Sequence, residues 1–154
     1  MSPPQPWQTE PSALQQTIED STLFTFLRCQ RRAYLDTYGD ADLQAAPSDY
    51  LVKLKGDSAA HRQTILAEFQ PISRPSRHRD NVAATAQATY ALMKQGVDHI
   101  CRGTVAAVNA DGTIGYISQP DLWIKQPGTS WLGNWHYVPL DIKLGKKPKQ
   151  EYQL

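Results

Sequence analysis

Asn109-Ala110-Asp111-Gly112 most restricts the folds open to this chain. Asn, Asp and Gly tolerate left-handed backbone, so this cluster between two β-branched stretches closes a hairpin and forces antiparallel pairing on its flanks. The stretch before it, Asp98 to Val108, reads as a strand. The return strand runs from Thr113 to Ser118 and resumes from Asp121 to Lys125. Pro120 interrupts it, since proline cannot donate to a ladder. A loop from Pro127 to Asn134 leads into a third strand from about Trp135 to Leu144.

Upstream the apolar period is helical. Pro47-Ser48-Asp49 starts a helix, and Leu51, Leu54, Ser58, His61, Ile65 and Phe69 fall three or four apart on one face. That stripe is expected to be buried, His61 included, with Gly56 a point at which the helix divides in two. Ser21 reads as the N-cap of a shorter helix to about Arg28, whose Leu23, Phe24, Phe26 and Leu27 predict burial on two sides. Asp80 or Asn81 opens an alanine-rich helix through Val82, Ala86, Tyr90 and Met93, and Gly96 suits the position after its end. Helices followed by consecutive strands predict an α+β fold: N-terminal helices, then a three-stranded antiparallel meander.

The 154 residues suffice for one domain with a sizeable core. Residues 1–20, rich in Pro and Gln, read as an extended arm, and residues 21–154 as the domain itself. Gln150 onward begins another helix that Leu154 cuts short, so the chain is expected to be the N-terminal fragment of a longer protein. Charges nearly cancel, with 16 Lys and Arg against 15 Asp and Glu, so net charge does not mark a nucleic-acid binder. Cys29 and Cys101 are too few for a disulfide framework or a four-cysteine metal site. The first residues lack the basic and apolar regions of a signal peptide, and no apolar run has membrane-spanning length. The expected setting is cytoplasmic and reducing, with no membrane partner.

The residues that carry chemistry are Asp121, Asp141 and Lys143. Strand alternation puts Asp141 and Lys143 on one face with Ile142 on the other, and Asp121 closes the neighbouring run. Two acids and a lysine converging there would hold a divalent ion and an attacking water. Carboxylate oxygens suit Mg²⁺ or Mn²⁺, and a lysine beside them offsets charge in a phosphoryl transition state. Asp-x-Lys alone is common on solvated strand edges, and a lone histidine such as His61 is more often a satisfied core residue than a ligand. Carboxylates embedded in apolar strands nevertheless need partners or a metal. Arg31 and Arg32 after Cys29 read as a phosphate-binding pair, and Lys146, Lys147 and Lys149 as a basic turn able to meet a nucleic-acid backbone. Trp123, Trp131 and Trp135 are most simply packing residues.

Together these residues resemble the RecB-like branch of the PD-(D/E)XK nuclease superfamily. Pro120-Asp121 and Asp141-Ile142-Lys143 match its signature. Phe26-Leu27-Arg28-Cys29-Gln30-Arg31-Arg32-Ala33-Tyr34-Leu35 is similar to its Cys-Pro-Arg-Arg-x-Tyr-Leu segment, and Gly56 to His61 to its glycine-to-histidine helix motif. The likeness covers about Ser21 to Leu154. It implies an incomplete restriction-endonuclease-like core and a Mg- or Mn-dependent DNA nuclease, with Asp121, Asp141 and His61 as metal ligands and Lys143 as the catalytic lysine. It also implies Gln153 as the glutamine of a Gln-x-x-x-Tyr motif, and Cys29 as one ligand of a 4Fe-4S cluster. The other three cysteines of such a cluster are absent from this chain. Gln30 replaces the usual proline, and Arg62 stands where an acid is frequent. Two alternatives remain open: a non-catalytic nucleic-acid-binding module on the same scaffold, and a structural domain whose acids merely satisfy arginine partners.

Overall fold

A computed structural model describes residues 17–78, 81–110, 112 and 114–145. Residues 1–16 of the arm expected over 1–20, and Lys146, Lys147, Lys149 and Gln153, lie outside the described residues, while the end of that stretch forms a short strand and the first helical residue. The fold is α+β. Strand β1 (Ile18–Glu19) leads into helix α1 (Asp20–Arg28), α2 (Gln30–Tyr38), α3 (Asp49–Leu66) and α4 (Val82–Gln95), with short 3-10 turns at Ala41–Leu43 and Ala67–Phe69. Strands β2 (His99–Cys101), β3 (Val105–Val108), β4 (Ile114–Ser118), β5 (Leu122–Ser130) and β6 (Gly133–Leu140) follow.

Local chemistry sets most of the boundaries. The Ser48 side chain caps α3 by accepting the Leu51 N–H at 3.4 Å, and Asn81 caps α4 by accepting that of Ala84 at 2.8 Å. Gly96 ends α4 in the left-handed region at φ 69°, where its missing Cβ also leaves room for the Trp135 ring. Helix α1 starts two residues earlier than expected, with Glu19 rather than Ser21 at the cap, and the Asp20 side chain is engaged by the end of β4. Gly56 does not divide α3. It sits mid-helix with nothing near it, so its flexibility costs some stability without breaking the hydrogen-bond ladder.

The strands form two sheets, β1-β4-β3 and β2-β5-β6, rather than one meander. The two-stranded course outlined in the sequence is present, but it is broken on both sides at one level. Arg102 takes a left-handed φ of 51°, and Gly103 lies so close that a Cβ would overlap Thr89 and crowd Trp123 and Ile100. Trp123 donates its indole N–H to the Gly103 carbonyl at 2.9 Å and fixes that approach. Gln119-Pro120 breaks the partner strand opposite. β3 and β4 therefore pair on the hairpin-turn side of the bend, and β2 and β5 on its far side.

Where β2 pairs with the start of β5, the second sheet packs on both faces. Leu122 and Cys101 point to one side, with Leu66 of α3 and Ile142. Ile100 and Trp123 point to the other, with Met93 of α4. β5 also runs further than expected, to Ser130, so the anticipated loop over 127–134 is mostly hairpin strand, with a register shift between Pro127 and Ser130. β6 ends at Leu140, short of Asp141 to Lys143.

The helical apolar positions fare differently. No residue of α1 is buried, and Phe26 and Leu27 are about half exposed. In α3 only the last turns pack: Ile65, Leu66 and the following Phe69 join the core, whereas Leu51 and Leu54 are exposed. The i, i+3, i+4 spacing was correct, but the sheet reaches only the C-terminal end of that stripe.

Candidate functional site

Pro120 and Asp121 occupy the bend between β4 and β5, and Asp141, Ile142 and Lys143 directly follow β6. Leu122 pairs with Leu140, which brings the two segments side by side. Their residues open onto one cleft of about 560 Å³, walled by Asp20, Leu23, Phe24 and Leu27 of α1, Arg62 of α3, Arg102, Gln119 and Asp121, with Asp141 and Lys143 at its edge.

Asp121 is buried and held from both sides. Its Oδ2 accepts the Ile142 N–H at 2.9 Å, tying the bend to the segment after β6. Its Oδ1 lies 2.6 Å from Nε of Arg62. That oxygen sits off the Nε–H direction, so the buried Nε makes a charge contact without an aligned acceptor. The Asp121 carbonyl in turn accepts the Arg102 N–H at 3.1 Å. Ile142 turns into the core, while Asp141 and Lys143 turn outward together, with Lys143 Nζ 3.1 Å from Asp141 Oδ2. The alternation inferred for Asp141, Ile142 and Lys143 thus persists past the end of the strand.

Asp20, which no pattern in the sequence singled out, forms the roof. It accepts hydrogen bonds from the Tyr116 hydroxyl, from Ser118 Oγ at 2.9 Å and from the Gln119 N–H at 3.1 Å, pinning α1 to the end of β4 two residues before Asp121. The carboxylate beside it pushes the Tyr116 phenol up to about 12, because ionisation would destroy the hydrogen bond and place two negative charges together. A raised folded value means that the contribution is complete below the ordinary phenol range near 10 and is lost as pH climbs towards 12. Tyr116→Phe is therefore expected to cost on the order of 1–2 kcal/mol near neutral pH. Urea unfolding of the two proteins should converge between pH 10 and 12, and a constant gap would contradict this role.

The remaining sequence-marked residues lie elsewhere. His61 is partly buried on α3 and is not among the residues lining the cleft; its neighbour Arg62 is. Cys29 is exposed at the junction of α1 and α2. Cys101 is buried in the core, where Arg74 Nη1 donates to its sulfur at 3.0 Å. With only these two cysteines, the chain does not fit a 4Fe-4S cluster of its own. Arg31 and Arg32 are exposed on α2 away from the cleft lining, and Arg32 pairs with Asp36 at 3.4 Å.

Among the described residues no group of three or more His, Cys, Asp or Glu is arranged to hold a metal ion, and no helix is long and apolar enough to cross a membrane. Asp121 and Asp141 both line the cleft, and each already has a cationic neighbour, Arg62 for the first and Lys143 for the second. Arg62 and Asp20 escaped sequence reasoning for the same reason. Each acts across a tertiary contact, and neither carries a local spacing signal. Comparison with protein-family models, with curated proteins and with solved structures finds no match.

Proposed function

We propose that this cleft is the site of a metal-dependent nuclease of the PD-(D/E)XK type acting on DNA. The observation that carries the reading is that Asp121, Asp141 and Lys143, chosen on sequence alone, line one cleft. Asp121 and Asp141 would hold Mg²⁺ or Mn²⁺. Such an ion, when bound, supplies Lewis acidity and a more readily deprotonated water. The chain's own residues do the rest. The Ile142 N–H orients Asp121. Lys143 Nζ, on a flexible stem beside Asp141, would offset negative charge developing on a phosphoryl group. Arg102 on the cleft wall offers a second cation for the DNA backbone. His61 has no part in this version of the site.

Asp141→Ala tests the assignment cleanly, because the Asp141–Lys143 pair is half exposed and such pairs contribute at most about 1 kcal/mol to stability. Mn²⁺-dependent degradation of labelled DNA by the wild-type chain, abolished in the folded Asp141→Ala protein, is the expected result. Undiminished cleavage by the variant would sink the assignment. The Arg62–Asp121 pair favours a second reading, in which the scaffold binds nucleic acid without cutting it and the buried acid serves its arginine. Salt-sensitive DNA binding with no cleavage under any divalent ion would select that alternative.

A further inference from the structure

Helix α2 turns its apolar side outward. Ala33 is its one buried residue, and Arg31, Tyr34, Leu35 and Tyr38, spaced three or four apart, lie on the side turned away from it, all exposed. The Tyr34 and Tyr38 rings pair in the open, with 5.3 Å between centroids. The exposure continues along the chain. Eight of the fourteen exposed large hydrophobic side chains among the described residues fall between Tyr34 and Leu54. At about 150–250 Å² for a large side chain in full contact with water, these eight expose on the order of 700–1,200 Å². The largest apolar patch on a soluble monomer is about 300–600 Å², whereas a stable interface takes about 800 Å² from each partner.

Charge selects what covers this surface. α2 carries Arg31 and Arg32 in its first turn and is followed by Asp40 and Asp42, the reverse of what its own dipole favours. A second α2 laid antiparallel offsets both ends, since each basic start then lies beside an acidic finish. From Arg28 to Asp57 there are five Lys or Arg and five Asp. That balance suits a surface meeting its own copy and gives a phosphate backbone no net attraction. Residues 1–16 and 146–154 bring Met1, Trp7, Leu14, Tyr152 and Leu154 as their large apolar side chains, too few to cover eight. We propose that the chain forms a two-fold dimer through this surface, with α2 antiparallel to α2 of a second copy. Tyr34, Leu35 and Tyr38 form its centre, Arg31 of each copy meets the partner's Asp40 and the partner's Asp42, and the uncovered first turns of α3 complete it. None of these residues lines the cleft, so the dimer stands apart from the nuclease reading.

Analytical ultracentrifugation of the full chain is the test. Wild type should sediment as a dimer with a Kd of about 10 µM or tighter. Leu35→Asp/Tyr38→Asp changes two side chains exposed in the protomer, so it should keep its far-ultraviolet circular dichroism and weaken the dimer about a hundredfold or more. Arg31→Asp and Asp42→Arg should each weaken it about tenfold, because like charges then meet on both sides of the two-fold axis. An equal mixture of those two variants should associate within about threefold of wild type, since every contact in the mixed dimer again pairs opposite charges. A variant that merely lost its fold could not be rescued by the other. Wild type that is monomeric at about 100 µM overturns the dimer. Hydroxyl-radical footprinting then shows whether residues 1–16 or 146–154 shield Tyr34 and Tyr38, or whether an added single-stranded oligonucleotide does, and either result reassigns the surface. A dimer unmoved by Leu35→Asp/Tyr38→Asp, or a mixture of the charge variants no tighter than either alone, also overturns it.

Discussion

Asp121→Ala is expected to destabilise the protein by about 3–5 kcal/mol, the range seen when one partner of a buried ion pair is removed. The carboxylate is buried and meets two groups at once: it lies 2.6 Å from Arg62 Nε as its counter-charge and accepts the Ile142 N–H at 2.9 Å. Alanine leaves a partly buried charge without its counter-charge and a buried amide without its acceptor, and each omission alone costs about 1–3 kcal/mol or more. The two costs overlap, because relaxation that lets water reach Arg62 also reaches the amide, so they do not simply add. A domain of this size has a total stability of about 5–15 kcal/mol, so the variant sits near the edge of folding. Asp121→Asn should lose less, because an amide oxygen can still accept from Ile142. Urea unfolding monitored through the buried Trp123 measures both. A loss below about 1 kcal/mol for Asp121→Ala would mean that the bend between β4 and β5 does not depend on this carboxylate.

This dual role explains which parts of the site were visible in the sequence. Asp121, Asp141 and Lys143 announced themselves because acids and a lysine interrupt apolar runs, and interruption is a local signal. The caps at Ser48, Asn81 and Gly96 and the turn at Asn109 to Gly112 were local for the same reason. The division into two sheets was not, since it depends on Gly103 lying against Trp123 and Thr89, residues brought there by the fold. The substitution of Arg62 for His61 has a geometric cause. Neighbouring helical positions lie about 100° apart, and the apolar spacing by itself predicts burial along the whole stripe. Because the sheet covers only the last turns of α3, the orientation of the helix is set there, and Arg62 rather than His61 meets the cleft. A stripe that includes the exposed Leu51 and Leu54 defines a face, but not which end of that face is covered.

Lys143→Ala should show the converse of Asp121→Ala, with chemistry lost and stability kept. Its side chain is half exposed, and its pairing with Asp141 at 3.1 Å is a solvent-screened contact. Removing such a pair changes stability by about 0–1 kcal/mol, so the urea midpoint should stay close to that of wild type. Under the nuclease reading the same ammonium faces the phosphoryl group, where a positioned charge acts on developing negative charge and its loss costs on the order of 10²–10³ in rate. Lys143→Arg keeps the charge but replaces a compact ammonium on a flexible stem with a planar fork, so it should recover only part of the activity. Single-turnover cleavage of labelled DNA with saturating Mn²⁺ separates this from weakened binding, because a residue acting on the transition state lowers the rate at saturation. A rate unchanged at saturation, with DNA affinity alone reduced, would make Lys143 a backbone contact and shift the cleft towards the binding-module reading. The contrast between Asp121 and Lys143 therefore tests the architecture directly: one group supports the scaffold from beneath the cleft, and the other works from its rim.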